Sequence, residues 1–170
     1  MKIVLALFFL MVSLMFIAPR QSFAGSHSFS VGVGRGINID YPEGEELNEM
    51  FIADYKIVIL PSFVFVAEPT IYGFSGGKIG IGIGTFFQNY FPLMNGVSLF
   101  ISWGVGAIIT NKILSGESLL FNFTPQGGVG VEIRNWAFEF RYWHASNAGI
   151  RNPNSGVDNI VALVSYSYRF

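Results

Sequence analysis

Residues 97–109 read VSLFISWGVGAII, and neighbouring positions in this stretch alternate in size. The odd positions carry large apolar side chains, with Ala107 as the exception, and most of the even positions between them carry small ones. Successive side chains of a β-strand point to opposite faces, so this period of two predicts a strand with one apolar face. The same alternation recurs in residues 28–35 and 78–85. We therefore expect an all-β chain.

The strands of a soluble β-sandwich also alternate between apolar and polar side chains. The types of side chain on the two faces distinguish a membrane barrel from such a sandwich. Large apolar and aromatic residues occupy one face here, whereas the opposite face carries small residues and charges. The charged positions on two consecutive predicted strands are Glu132, Arg134, Glu139 and Arg141. Buried charges need partners, so we expect these to pair across a narrow polar interior. Apolar residues outside and polar ones inside are typical of an outer-membrane β-barrel, which closes because lipid cannot satisfy an open sheet edge.

Composition excludes several other classes of protein. The 170 residues are 51% hydrophobic and 12% charged, with a mean hydropathy of +0.48, which is too apolar for an ordinary soluble domain or a disordered chain. Beyond the first two dozen residues, no apolar run approaches the ~18–20 residues that a spanning helix needs. The absence of cysteine excludes a disulfide scaffold and a thiolate nucleophile or metal site.

The first segment, residues 1–24, is interpreted as a secretory signal peptide. Lys2 supplies a positive start, residues 3–18 are almost wholly apolar, and Ser22-Phe23-Ala24 offers small residues at the −3 and −1 positions of a cleavage site. The alternative is a membrane anchor, which the Pro-Arg break and the small-x-small ending disfavour. Residues 25–170 then form one exported domain. Its 8 basic and 11 acidic residues give a net charge of −3, whereas a nucleic-acid-binding domain is expected to be basic.

Eight segments of the exported chain predict strands. They are 27–37, 51–60, 62–74, 77–88, 96–110, 119–133, 135–146 and 158–170. The boundary at Pro61 has an alternative, because 51–68 is one long strand if Pro61 does not lie at a turn. The count fits the smallest bacterial barrels, so we predict an eight-stranded antiparallel transmembrane β-barrel. The last strand ends on the aromatic Phe170, which resembles the carboxy-terminus of outer-membrane proteins.

The connections between these strands orient the barrel. If both termini lie in the periplasm, the long polar connections lie outside the cell. These outer connections are 38–50, 111–118 and 147–157. The acidic run in the first of them is interpreted as a solvated loop. The connections near Pro61 and Asn135 are short, as periplasmic turns usually are, and 89–95 is the longest exception.

Most familiar catalytic motifs are missing. The glycines of 76–84, GGKIGIGIG, are spaced like a dinucleotide fingerprint, but no helical pattern follows them. There is no nucleophile elbow and no zinc-protease motif. The two histidines, His27 and His144, are too few for a histidine-rich zinc site. The sequence therefore indicates no metal and no cofactor.

One set of reactive side chains shares the lipid face at the outer end of the barrel. The even-numbered face of strand 135–146 is aromatic until it ends in His144 and Ser146, and i and i+2 residues of a strand are close enough for an imidazole to meet a hydroxyl. The same parity places Asp158 on the lipid face of the neighbouring strand, where a carboxylate could orient the imidazole. The alternative is that all three are ordinary interfacial residues of a barrel rim.

The stretch 141–158, RYWHASNAGIRNPNSGVD, resembles the signature of the lipid A 3-O-deacylases, the PagL-like outer-membrane esterases. That signature runs His-x-Ser-Asn-Ala-Gly, then Pro-Asn-x-Gly, then an acidic residue two positions later. The matching residues here are His144, Ser146, Asn147, Ala148, Gly149, Pro153, Asn154, Gly156 and Asp158. The resemblance implies an eight-stranded barrel that removes the ester-linked acyl chain at position 3 of lipid A, with outer-membrane lipid around it.

The resemblance also implies roles for individual residues. Ser146 would be the nucleophile, His144 the general base, and Asp158 the acid that orients His144. The candidates for stabilising the oxyanion are Asn154, backbone N–H groups near Gly149, and Asn147, which could instead only shape the loop. Asp158 stands where the best-known members have glutamate. Two other functions stay open at this point: an esterase on another membrane acyl ester, and a structural or lipid-binding barrel without activity.

Overall fold

The computed structural model describes residues 27–39 and 46–169. The predicted signal peptide, residues 1–24, lies outside the described residues, as do Phe170 and part of the acidic run. Among the residues described, no helix has the length and hydropathy needed to cross a membrane.

Eight antiparallel strands form a closed barrel, in which each strand pairs with its neighbours in the chain and β1 pairs with β8. The strands are β1 (His27–Asn38), β2 (Leu47–Leu60), β3 (Phe63–Phe74), β4 (Lys78–Met94), β5 (Val97–Thr110), β6 (Phe121–Ile133), β7 (Trp136–Ala145) and β8 (Val157–Arg169). A short 3₁₀ turn, Ser75–Gly77, joins β3 to β4. The eight-stranded antiparallel barrel predicted from the alternation is confirmed.

Two predicted strand boundaries were wrong. β2 begins at Leu47 rather than at residue 51, and β4 continues to Met94 rather than ending at residue 88. Asn89, Pro92 and Asn95 are residue types common in turns, but Tyr90 is buried and its hydroxyl donates to Gln88 Oε1 at 3.0 Å. The expected connection over 89–95 is therefore only the two-residue turn 95–96. Pro61 does lie at a turn, so 51–68 is not one strand.

The outer surface of the barrel is apolar, as the alternation predicted. On β5, for example, the odd-numbered Leu99, Val105 and Ile109 are exposed, whereas the even-numbered Ser98 and Ser102 are buried. The same division holds on β1, β4 and β8, where large apolar side chains point outward along each strand. This face matches the lipid-facing band of a transmembrane barrel.

The interior of the barrel is filled by side chains in layers. An upper cluster lies at the end where the long connections are, and a lower cluster lies nearer the short turns. The upper cluster contains Leu47, Met50, Ile52, Tyr72, Phe74, Ile108, Leu114, Trp143, Ala145, Val157, Val161 and Leu163. The lower cluster contains Val64, Val66, Phe86, Tyr90, Phe100 and Ala137. A packed interior of this kind leaves the outer face and the rim as the places for chemistry.

Between the two clusters lies a buried ionic network centred on Arg141. Its guanidinium donates from Nη1 to both carboxylate oxygens of Glu68, at 2.7 and 2.9 Å, and from Nε and Nη2 to Glu139, at 3.1 and 3.0 Å. The expected pairing of interior charges is therefore present for these residues, and Glu132 pairs with Arg169. Arg134 was misplaced by the prediction: it occupies the turn after β6 with φ of 58° and points away from the interior.

Replacing Arg141 with leucine is expected to reduce the free energy of unfolding by roughly 3–5 kcal/mol, because it leaves two buried carboxylates without their cation. Urea unfolding of the refolded barrel in detergent, followed by tryptophan fluorescence, measures the change. Arg151→Leu removes an exposed arginine and is the matched control, with an unchanged midpoint expected. A wild-type midpoint for Arg141→Leu would contradict this account of the interior.

The two ends of the barrel differ in the length of their connections. At one end, the turns 61–62, 95–96 and 134–135 each have two residues. At the other end lie the connections 39–46, 75–77, 111–120 and 146–156. Short periplasmic turns and longer extracellular loops are the rule for outer-membrane barrels. By this rule, the end with the longer connections, here called the outer rim, is predicted to be the extracellular one.

Candidate active site

The register of β7 and β8 places His144 directly opposite Asp158 at the outer rim. His144 Nδ1 and Asp158 Oδ1 are 2.7 Å apart, and the two side chains are 25% and 21% exposed. Directly opposed residues of antiparallel strands have Cβ atoms only about 4.5–5.5 Å apart. An aspartate therefore reaches the imidazole without the extra methylene of a glutamate.

Ser146 continues the extended path of β7 by one residue beyond the end of the strand. It forms an isolated bridge with Phe123 of β6, in which Ser146 N donates to Phe123 O at 3.0 Å and Phe123 N donates to Ser146 O at 2.8 Å. The bridge keeps Ser146 on the same face as His144, about 7 Å along the strand. In the part of the chain that the structure describes, the Ser146 hydroxyl makes no hydrogen bond, so it is available to a ligand.

Tyr142 is a partner of Asp158 that the sequence analysis missed. Its hydroxyl donates to Asp158 Oδ1, the same oxygen that contacts His144 Nδ1. Tyr142 precedes His144 by two residues on the same face and was interpreted only as part of an aromatic stripe. Its position diagonal to Asp158 follows from the register of β7 and β8, which cannot be read from the sequence. One carboxylate oxygen of Asp158 is thus contacted by both a phenol and an imidazole.

The loop 146–156 is folded around the side chain of Asn147, which is fully buried. Its Nδ2 donates to Arg151 O at 2.8 Å, to Pro153 O at 3.2 Å and to Ser118 Oγ at 3.2 Å. Its Oδ1 accepts from Arg151 N at 3.3 Å. Because these bonds use both ends of the amide, the geometry favours the loop-shaping role for Asn147 over a role in stabilising an oxyanion.

Other N–H donors of the loop 146–156 make no hydrogen bond among the described residues. Asn154 Oδ1 accepts from Asn147 N at 2.8 Å, which leaves the Asn154 Nδ2 group directed elsewhere. A turn closed by Ile150 N donating to Asn147 O at 3.2 Å gives Ala148 and Gly149 φ values of 56° and 76°. Within the described residues, the N–H groups of Ala148 and Gly149 make no hydrogen bond. These donors are the candidates for binding an oxyanion.

Gly156 packs directly against the imidazole of His144. Its φ is 82°, and a Cβ atom added to it would lie 2.6 Å from His144 Cε1 and 3.4 Å from Nε2. No Cβ fits at that distance without displacing the ring. The glycine in the signature is therefore explained by the space that the imidazole needs as well as by the backbone conformation.

Gly156→Ala is expected to lower the turnover of the site about 10- to 100-fold, because small displacements of a reacting group have effects of this size. The matched control is Gly76→Ala on the same rim, since Gly76 has φ of 68° but open space where its Cβ would lie. Both variants carry the backbone strain, and only Gly156→Ala displaces His144. Equal turnover by the two variants, measured with the barrel shown to be folded, would contradict the steric explanation.

A shallow, open groove of about 420 Å³ lies on the outer face and meets the site at Tyr142. Its lining includes Trp103, Gly127, Phe140 and Tyr142. Gly127 is the position on β6 that opens it, because a Cβ added there would meet only Ser102 O, at 3.7 Å, whereas the other outward positions of β6 carry side chains. An apolar chain lying in this groove would point its end toward the outer rim.

The described residues contain no group of three His, Cys, Asp or Glu side chains placed to hold a metal ion. The arrangement offers a hydroxyl, an imidazole and a carboxylate on one face at the lipid side of the rim, and the loop that follows the hydroxyl carries backbone and amide donors. These are the components of nucleophilic acyl transfer.

The chain is similar to a known protein family. The family model described as lipid A 3-O-deacylase (PagL) matches residues 64–167, which include the whole signature stretch. No curated protein is significantly similar to the chain in sequence.

Solved structures show the fold. The crystal structure of the outer membrane enzyme PagL matches with a TM-score of 0.61 and 19% identity, over 81% of this chain and 98% of that chain. The N-terminal β-barrel domain of Pseudomonas aeruginosa OprF has a TM-score of 0.54 and 9% identity, over 85% and 99% of the two chains. Neisserial surface protein A (NspA) has a TM-score of 0.54 and 13% identity, over 84% and 97%. The fold is that of an outer-membrane β-barrel.

Proposed function

The chain belongs to the lipid A 3-O-deacylase (PagL) family, and from this premise we propose that it is a serine esterase of the outer membrane that hydrolyses the 3-O-linked acyl chain of lipid A. The observation that carries the proposal is the 2.7 Å contact between His144 Nδ1 and Asp158 Oδ1 on the lipid side of the outer rim, with Ser146 next on the same face. A rim of interfacial polar residues would not require an imidazole held by a carboxylate beside a free hydroxyl.

The first half of the reaction transfers the acyl group to Ser146. Because Nδ1 of His144 is bonded to Asp158, Nε2 is the nitrogen that accepts the Ser146 proton. Ser146 Oγ bonds to the ester carbonyl carbon, and the negative charge moves to the carbonyl oxygen, where N–H groups of residues 148–149 and Asn154 Nδ2 stabilise it. The bond from that carbon to the sugar oxygen then breaks, and His144 Nε2 returns its proton to the sugar oxygen.

The second half of the reaction releases the fatty acid. A water molecule gives a proton to His144 Nε2 as its oxygen bonds to the acyl carbon. The bond to Ser146 Oγ breaks, and Oγ recovers the proton from His144. Asp158 stays ionised in both halves, where it holds the imidazole in one tautomer and stabilises its protonated form. The net reaction consumes one water and needs no metal or cofactor.

The surroundings of the site support a membrane lipid as substrate. The three reactive side chains lie on the same face as Tyr142 and Phe140, which are 42% and 66% exposed. A substrate that stays in the outer leaflet can place an acyl chain in the groove at Gly127 and its ester at the rim. A site inside the barrel would not be reached by such a lipid.

The proposal is tested with the purified barrel, refolded in detergent and given either lipid A or phospholipid. Release of one 3-hydroxy fatty acid per lipid A, with phospholipid intact, is the expected result. Hydrolysis of phospholipid alone would assign the esterase to a different membrane lipid. No release from either substrate by the folded barrel would leave the non-enzymatic alternative.

A further inference from the structure

A buried carboxylate lies behind the loop that carries the site. Glu117, in the connection between β5 and β6, is only 5% exposed although it belongs to a rim loop. Its Oε2 accepts a hydrogen bond from Asn147 N at 3.0 Å, and its Oε1 accepts one from Gly156 N at 2.9 Å. Among the described residues no cation pairs with it, so its charge is balanced by backbone N–H groups, which form strong bonds with a carboxylate.

The two donors to Glu117 flank the reacting side chains. Asn147 directly follows Ser146, and Gly156 packs on the imidazole of His144 two residues before Asp158. The ladder between β7 and β8 ends at the pair Ala145 and Val157, so beyond it no strand pairing fixes the distance between the two chain segments. The carboxylate of Glu117 joins them one step past that end.

The segment around Glu117 is itself anchored. Leu114 is buried in the upper cluster, and its carbonyl accepts from Glu117 N at 3.1 Å. Gly116 O accepts from Ser155 N at 2.9 Å, and Ser118 Oγ donates to Arg151 O at 2.9 Å. The segment 114–118 is therefore fixed to the upper cluster and also bonded to the loop 146–156, so it can hold the loop in one position relative to the barrel.

We propose that Glu117 is a positioning residue, which sets the placement of Ser146 relative to the His144–Asp158 pair by holding the backbone on both sides of them. The inference rests on the proposed function for its reaction. It does not make Glu117 a participant in proton transfer, because its oxygens contact only the backbone.

The test compares Glu117→Gln with Glu46→Gln, which changes a half-exposed glutamate on the same rim. Glutamine has one accepting oxygen, so its NH₂ group faces one of the two backbone N–H groups and breaks that bond. We expect kcat on lipid A to fall about 10- to 100-fold with little change in KM. We also expect labelling of Ser146 by a small fluorophosphonate, followed by intact-protein mass, to slow in parallel. Glu46→Gln should match the wild type in both measurements.

A second variant covers the case in which Glu117→Gln does not fold. Glu117→Asp keeps the charge but is one methylene shorter, so it reaches one donor and should lose part of the rate. Wild-type kcat and labelling rate in either folded variant would overturn the positioning role. If the wild-type barrel does not hydrolyse lipid A, the proposed function fails, and the labelling rates still decide the inference. If the fluorophosphonate labels Ser146 in neither the wild type nor the variants, both the proposed function and the positioning role are overturned.

Discussion

Ser146→Ala is expected to abolish hydrolysis of lipid A, with a loss of roughly 10⁴-fold or more in turnover. Alanine has no group that can bond to the ester carbonyl, and the neighbouring donors alone give only the residual rate of an oxyanion site with bound substrate. The barrel should fold normally, since the bridge to Phe123 is formed by backbone atoms. The rate of 3-hydroxy fatty acid release from lipid A in detergent is the measurement.

Ser155→Ala is the matched control for that substitution. Ser155 is an exposed serine in the same loop. Its backbone N–H donates to Gly116 O, and alanine keeps that bond. It should retain the wild-type rate. If Ser146→Ala also retained that rate, Ser146 would not be the nucleophile, although the fold would stand.

Asp158→Asn carries the second large effect, a loss of roughly 10³- to 10⁴-fold. An asparagine is neutral and cannot stabilise the imidazolium. It can also donate to His144 Nδ1, which places the ring proton on Nε2 and removes the base that Ser146 needs. The side chain is nearly the same size, so packing at the rim changes little.

Asp158→Glu separates the charge from the geometry. It keeps the carboxylate, and glutamate is the acid of the best-known family members, so the rate should stay within about 10-fold of the wild type. The same fatty acid release assay measures all three proteins. A rate for Asp158→Asn close to that of Asp158→Glu would show that the carboxylate charge is not needed and would remove Asp158 from the mechanism.

Alternation along the chain predicted the fold because each strand of this barrel lies between two different environments. Lipid selects large apolar side chains on one face, and the narrow interior selects small, polar or paired ones on the other. The prediction was wrong at the end of β4, because Asn89, Pro92 and Asn95 are residue types common in turns although the strand continues to Met94. The prediction that Arg134 faces the interior was also wrong, because β6 ends at Ile133 and the alternation of faces does not continue into the turn.

The sequence could be used to place His144, Ser146 and Asp158 on one face because parity and strand pairing fix the positions of neighbouring side chains. It could not identify Glu117 or Tyr142 as partners of the site. Glu117 contacts the loop 146–156 from a separate connection, and loop-to-loop contacts leave no periodic pattern. Tyr142 looked like any aromatic residue of a lipid-facing stripe, and only the side-chain geometry distinguishes it.

Mass spectrometry of lipid A from a Gram-negative host that expresses the chain tests the central claim most directly. The account predicts that lipid A loses one 3-hydroxyacyl chain, that fragmentation locates the loss at position 3, and that cells expressing Ser146→Ala keep the chain. Unchanged lipid A with the wild-type barrel folded in the outer membrane would contradict the account, as would loss from another position or an equal loss in the Ser146→Ala cells.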